Sequence, residues 1–219
     1  MASILITGAN RGIGLALAER FAARGDEVVA ACRESSPRLA ELGVRVVEGV
    51  DVTDQRSVDE LARRLGDTRI DVLVNNAGIL TVESLERFDA ERIVRQFEVN
   101  SIGPLRVTRA LLGALHEGSK VAIVTSLMGS MSDNGSGGYY GYRMSKAAVN
   151  AAGVSLARDL APRGIAVVLL HPGMVATEMT GGRGITPEES AAGLIARIDD
   201  LTLDDSGSFH HQDGRRLEW

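Results

Sequence analysis

Short, nearly uninterrupted apolar runs alternate with longer amphipathic stretches along this chain. The runs are Ile4–Thr7, Glu27–Cys32, Val44–Glu48, Asp71–Asn75, Lys120–Thr125 and Ile165–His171. Most lack the strict in–out alternation of a half-solvated sheet, so they predict strands covered on both faces. Between them, helical spacing predicts helices near Gly12–Ala23, Ser57–Gly66, Ala90–Leu115 and Tyr142–Ala161. A last helix is predicted after Pro187, with Glu188 and Glu189 in its first turn at the positive end of the peptide dipole.

Repeated strand–helix–strand order requires right-handed crossovers and a parallel sheet. The expected fold class is therefore α/β, a single doubly wound Rossmann-type domain over residues 1–219, since no linker divides it. Gly/Ser-rich segments at Gly129–Gly141 and Thr180–Gly184 follow strand runs, where open α/β sheets bind ligands.

Composition narrows the function classes. A length of 219 residues, 44% hydrophobic and 24% charged, suits one large core in an ordinary soluble protein. The net charge of −5 argues against general nucleic-acid binding. No apolar run approaches the roughly 18 residues of a membrane span, and no basic-then-apolar leader precedes Ser3. A cytoplasmic location is the default expectation. Cys32 is the only cysteine, so no internal disulfide forms. His116, His171, His210 and His211 have no cysteine or carboxylate at ligand spacing, so no metal is expected. His171 reads as packed scaffold, and His210 and His211 as surface residues.

Chemistry enters with Thr7-Gly8-Ala9-Asn10-Arg11-Gly12-Ile13-Gly14, between the first strand and the first helix. Glycines there permit a tight turn and let the backbone approach a pyrophosphate, which meets the N–H groups opening the helix. The spacing is Gly-x-x-x-Gly-x-Gly rather than the common Gly-x-Gly-x-x-Gly. Further on, Tyr142 and Lys146 stand four residues apart, on one face of a helix. A neighbouring ammonium favours the phenolate and is expected to lower the tyrosine pKa, suiting proton exchange with a substrate oxygen. Tyr139 and Tyr140 have no lysine four positions later. Ser126 directly follows the fifth strand and is the candidate to hold the substrate oxygen, with Ser130 as the alternative.

These motifs, in this order, resemble the short-chain dehydrogenase/reductases over nearly the whole chain. The resemblance implies a mostly parallel seven-stranded sheet and a bound nicotinamide dinucleotide. It implies cofactor contacts from Gly8, Asn10, Arg11, Gly12, Ile13 and Gly14. Asp51 with Val52 would meet the adenine, and Asn76, Ala77 and Gly78 would lie beside the cofactor. Pro172, Gly173, Val175 and Thr177 would hold the nicotinamide carboxamide. Asn100, Ser126, Tyr142 and Lys146 take catalytic positions, with Lys146 also on the ribose and Asn100 holding a relay water. Small residues on the helix after Tyr142, together with the long helix before it, imply a homodimer, with a tetramer as the larger possibility.

The separation of Ser126 from Tyr142 exceeds the family's usual gap, with added residues in Ser132–Gly138. That segment, Gly137-Gly138-Tyr139-Tyr140-Gly141-Tyr142-Arg143, Gly207-Ser208-Phe209 and Trp219 resemble the C-factor and Sniffer-type carbonyl reductase branch. The resemblance implies NADPH-linked reduction of aldehyde or ketone carbonyls; a dinucleotide-binding signalling protein with little turnover is the alternative. For the cofactor, Arg33 and Arg11 favour NADP(H) by offering a planar donor fork to a 2′-phosphate, while Glu34 keeps NAD(H) open. Only Thr180–Thr186 separates Met179 from Pro187, so a brief mobile lid and a permissive pocket for small carbonyls are expected.

Overall fold

A computed structural model describes residues Met1–Trp219. The apolar runs form strands β1 (Ser3–Thr7), β2 (Glu27–Ala31), β3 (Arg45–Val47), β4 (Ile70–Asn75), β5 (Leu115–Val124) and β6 (Ala166–His171), joined by β7 (Ser208–His211). They make one sheet in the order β3-β2-β1-β4-β5-β6-β7, and every neighbouring pair is parallel. Burial on both faces explains the continuous runs: Ile4, Leu5 and Ile6 are all 0% exposed.

Helices α1 (Gly12–Ala23) and α7 (Pro187–Asp200) cover one face, with Leu17, Phe21, Leu194 and Ile198 in the core beneath them. The short α2 (Pro37–Ala40) adds Leu39 to that side. The opposite face is covered by α3 (Gln55–Leu65), α5 (Gly103–Ala110) and α6 (Tyr140–Leu160), through Leu61, Val107, Val149 and Leu160. In α7, Thr186 accepts the Glu189 N–H at 3.0 Å ahead of Pro187, the capping arrangement that starts a helix.

Two expectations need correction. The single helix expected over Ala90–Leu115 is three pieces: α4 (Ala90–Phe97), a π turn (Glu98–Ile102) and α5, which ends at Ala110. Pro104 has no N–H to close on the Asn100 carbonyl, so a regular α-helical ladder cannot run through this point. Leu115 instead opens β5, which is longer than the run Lys120–Thr125. The edge strand β7 was absent from the strand runs, because four residues carry no usable periodicity. His210 and His211 are therefore half-buried in a strand rather than loose on the surface, and His211 sits edge-on to His171 at 5.0 Å.

Candidate active site

The winding of the sheet reverses between β1 and β4, and the crevice outside their carboxyl ends is where such a sheet receives a ligand. Backbone contacts shape the loop after β1. Gly8 has φ +66°, and a Cβ on it would lie 2.9 Å from the Ala77 Cα. A Cβ on Gly14 would lie 2.2 Å from the Gly8 carbonyl oxygen and 2.5 Å from Asn76 Nδ2. Asn76 binds this loop by donating from Nδ2 to the carbonyls of Thr7 (3.0 Å) and Gly8 (3.1 Å). The Thr7 hydroxyl accepts in return from the N–H groups of Asn76 (3.1 Å) and Ala77 (3.2 Å). Arg11 precedes α1 without a side-chain cap, leaving the opening N–H groups beside Gly12 and Ile13 as an anion-binding donor set. A Cβ on Gly12 would come 3.2 Å from Thr177 Cγ2, so a side chain would close the gap between this loop and the one after β6. These residues fit a nicotinamide dinucleotide.

The loop after β6 is itself braced. The Pro172 carbonyl accepts from Ser190 Oγ at 2.8 Å, and Val175, 3% exposed, bridges Ile185. Gly173 packs on Ile185, and the Thr177 N–H bonds Thr180 Oγ1 at 3.1 Å. The short segment expected as a lid, Thr180–Thr186, is bonded to this loop near its end: Ile185 donates to Met174 O and accepts from Ala176 N, each at 2.8 Å. His171, at the end of β6, has its pKa pushed down to about 3 by burial and by His211, Arg215 and Lys146, against Asp213, so it is neutral scaffold.

The two arginines differ. Arg11 pairs with Glu178, both side chains being exposed, whereas Arg33 has no such partner. Arg33 is exposed, with only its carbonyl engaged, by the Gly49 N–H at 3.0 Å. Asn10 Nδ2 donates to the Glu34 carbonyl at 2.9 Å and ties the loop after β2 to the glycine loop. Burial works against the Asp51 carboxylate, but the Thr53 N–H and hydroxyl, with Arg95 and Arg33, hold its pKa below the usual range. Val52 beside it is buried, and its carbonyl accepts from Arg106 at 2.7 Å.

On α6, Tyr142 and Lys146 are 8% and 4% exposed, with Lys146 Nζ 5.7 Å from the tyrosine ring centre. The tyrosine pKa is not lowered as expected. Burial pushes it up to about 12, with the Ser126 hydroxyl offsetting part of the rise. Burial also brings Lys146 down to about 8. Desolvation is the largest cause of both shifts. The Ser126 hydroxyl, which accepts the Met128 N–H at 3.1 Å, is the group that favours the ionised phenol, while the hydroxyl of Thr125 goes to Asn150 at 2.7 Å and that of Ser130 to Ser132 at 2.9 Å.

Asn100 sits in the π turn. Its Oδ1 accepts the Ile79 N–H at 2.9 Å, and its Nδ2 donates to the Ile79 carbonyl at 2.9 Å and to Ser145 Oγ at 3.0 Å. A Cβ on Gly78 would meet Asn100 Oδ1 at 3.3 Å and Lys146 Nζ at 3.8 Å, so these three residues converge. Sequence reasoning missed Ser145, 0% exposed, which donates to the Tyr142 carbonyl at 2.8 Å and links Asn100 to α6. It also missed the buried pair Glu83 and Gln96, on which no motif falls.

The family model described as short chain dehydrogenase matches residues 2–187. The 1-hydroxy-2-glutathionyl-2-methyl-3-butene dehydrogenase of Rhodococcus sp. (strain AD45) is 46% identical over 226 residues, covering 100% of both chains. The crystal structure of NADPH-bound carbonyl reductase from chicken fatty liver superposes with a TM-score of 0.92 at 30% identity, covering 100% of this chain and 99% of that one. The carbonyl reductase Sniffer of D. melanogaster gives a TM-score of 0.91 at 30% identity, covering 100% of both.

Proposed function

The chain belongs to the short-chain dehydrogenase/reductase family, in its C-factor/Sniffer-type branch, and from that premise we propose that it reduces aldehyde or ketone carbonyls with NADPH. One observation carries this reading: a buried phenol, Tyr142, has buried Lys146 Nζ 5.7 Å from its ring centre and Ser126 as the hydroxyl that favours its ionised form, beside the cradle at the sheet's switch point.

The dinucleotide's pyrophosphate would lie on the N–H groups from Gly12 to Gly14, with its adenine by Asp51 and Val52. Its nicotinamide would lie between Asn76–Gly78 and Pro172–Thr177. Arg33 is our choice for the 2′-phosphate, and the NADPH held by the chicken enzyme supports that choice. When bound, the nicotinamide supplies the hydride.

The chain's own residues supply the proton and the orientation. Ser126 orients the substrate oxygen toward the phenol. A phenol that keeps its proton at neutral pH suits a general acid, and Tyr142 donates to the oxygen as charge develops there. Lys146, with a pKa near 8, lies next in line to return a proton to Tyr142. Asn100 fixes the turn that brings Gly78 and Lys146 together.

The exposed methionines Met131, Met174 and Met179 favour a permissive mouth for small apolar carbonyls, since thioethers adapt to varied shapes. We assign Val94, Ile102 and Leu105, exposed on and between α4 and α5, to contact between two copies in a homodimer. A reducing cytoplasm suits the single free thiol of Cys32, and no helix is long and apolar enough to cross a membrane.

The test is a panel of aldehydes and ketones with NADPH and NADH, followed by dinucleotide absorbance. Turnover with NADPH is expected. Tight NADPH binding without turnover of any carbonyl would favour a dinucleotide-binding signalling role instead.

A further inference from the structure

We infer that Glu83 is a positioning residue that fixes the first turn of α6 and thereby the aim of Tyr142; its kinetic consequence rests on the carbonyl-reductase reading, its structural consequence does not. The stretch between β4 and α4 reverses the usual pattern. Val82, Leu85 and Phe88 are 49%, 74% and 66% exposed, while Glu83 is 1% exposed. The partners of its carboxylate are neutral. The Thr81 hydroxyl donates to Oε1, and Gln96 Nε2 stands 3.2 Å from each oxygen. Gln96, 0% exposed, also accepts the Thr81 N–H at 3.0 Å. Burying a carboxylate with only neutral partners is costly, so its surroundings matter.

What faces it is the start of α6. Tyr139 donates its N–H to the Glu83 carbonyl at 3.1 Å. It holds φ +52°, the only positive φ outside glycine in the chain. A Cβ on Gly141 would lie 2.2 Å from Gln96 Nε2 and 3.1 Å from Glu83 Oε2, so the helix rests directly on this pair. The helix has no side-chain N-cap, and the carboxylate lies against its otherwise uncapped positive end. Tyr142 follows Gly141 at once. Lys146 lies one turn deeper, pinned to the Val124 carbonyl at 2.9 Å. Loosening the first turn therefore moves the phenol before it disturbs the lysine or the glycine cradle. Glu83 makes no hydrogen bond to Tyr142 or to the cradle; it acts through the helix start.

The test compares wild type, Glu83→Gln and the exchanged pair Glu83→Gln/Gln96→Glu. The single variant sets an amide donor against the donors of Thr81 and Gln96, while the exchanged pair restores an amide–carboxylate contact. Amide hydrogen exchange is read at residues 142–146, and kcat, KM and NADPH affinity with a carbonyl that wild type turns over. Faster exchange in this turn is expected in Glu83→Gln. A kcat lower by about 10- to 100-fold is expected with it, KM and NADPH affinity being nearly unchanged. Both readouts should recover in the exchanged pair. Unchanged exchange, or a loss that the exchanged pair leaves unrepaired, overturns the inference. Should Glu83→Gln not fold, Gly141→Ala pushes Gln96 away from the same turn, and normal exchange in that variant overturns it equally. A wild type that turns over no carbonyl defeats the carbonyl-reductase reading, and the exchange data then decide this one alone.

Discussion

Lys146 Nζ donates to the Val124 carbonyl at 2.9 Å, tying the second turn of α6 to the end of β5. No carboxylate stands beside this ammonium to offset its burial, and its pKa falls from 10.5 to about 8. Between those values the unfolded chain holds a proton that the native chain has released, so stability rises with pH across that window. The advantage of wild type over Lys146→Met should grow by on the order of 2–3 kcal/mol from pH 8 to pH 10.5. Urea unfolding of the dinucleotide-free proteins at several pH values measures it. A difference that stays flat over that range contradicts a desolvated amine at this position.

Tyr142→Phe should lower kcat by roughly 10²- to 10⁴-fold, the usual worth of a positioned general acid, and leave NADPH affinity near wild type. Ser126→Ala removes the one group that favours the ionised phenol and should cost less than the phenylalanine variant. Steady-state kinetics and a fluorescence titration with NADPH check both. Near-wild-type turnover in Tyr142→Phe removes the assigned acid.

The strand–helix alternation was readable because β1, β2, β4 and β6 are buried on both faces, which leaves long apolar runs in the sequence. The glycine loop was readable because Gly8 and Gly14 stand where a Cβ would strike backbone or Asn76. Other features depend on contacts distant in sequence. The break at Pro104 was hidden by an apolar pattern that continues across it, and β7 is defined by pairing with β6 rather than by its own four residues. The direction of the Tyr142 pKa shift follows from burial, which residue spacing does not reveal. Arg11 and Arg33 looked equivalent until Glu178, far along the chain, claimed one of them.

That difference makes Arg33 the more telling arginine for cofactor choice. Arg33→Ala should weaken NADPH binding by about 10- to 100-fold, the worth of charge-assisted hydrogen bonds to a phosphate, and barely change NADH binding. Arg11→Ala should have the smaller effect, because its guanidinium is already engaged by Glu178. Dissociation constants for both dinucleotides in both variants decide it. Equal losses for NADPH and NADH in Arg33→Ala would falsify the 2′-phosphate assignment.

Gly14 offers the sharpest test of the cradle. It opens onto the Gly8 carbonyl and Asn76 so closely that a methyl group would lie 2.2 Å from one and 2.5 Å from the other. Neither neighbour can yield cheaply. The Gly8 carbonyl belongs to the loop that Asn76 holds, and Asn76 is fixed in turn by bonds to Thr7 and Gly8. Gly14→Ala must therefore push α1 off the end of β1, breaking those bonds and spreading the N–H groups that would meet the pyrophosphate. A loss of about 1–3 kcal/mol in folding stability is expected from overpacking, together with loss of dinucleotide binding. Gly113→Ala is the control, since a Cβ there meets nothing within 4 Å, and both properties should stay close to wild type. Thermal unfolding and NADPH titration of the two variants separate a general cost of replacing glycine from a specific cost at the loop. If Gly14→Ala binds NADPH as wild type does, the anion seat does not depend on the contact between β1 and α1.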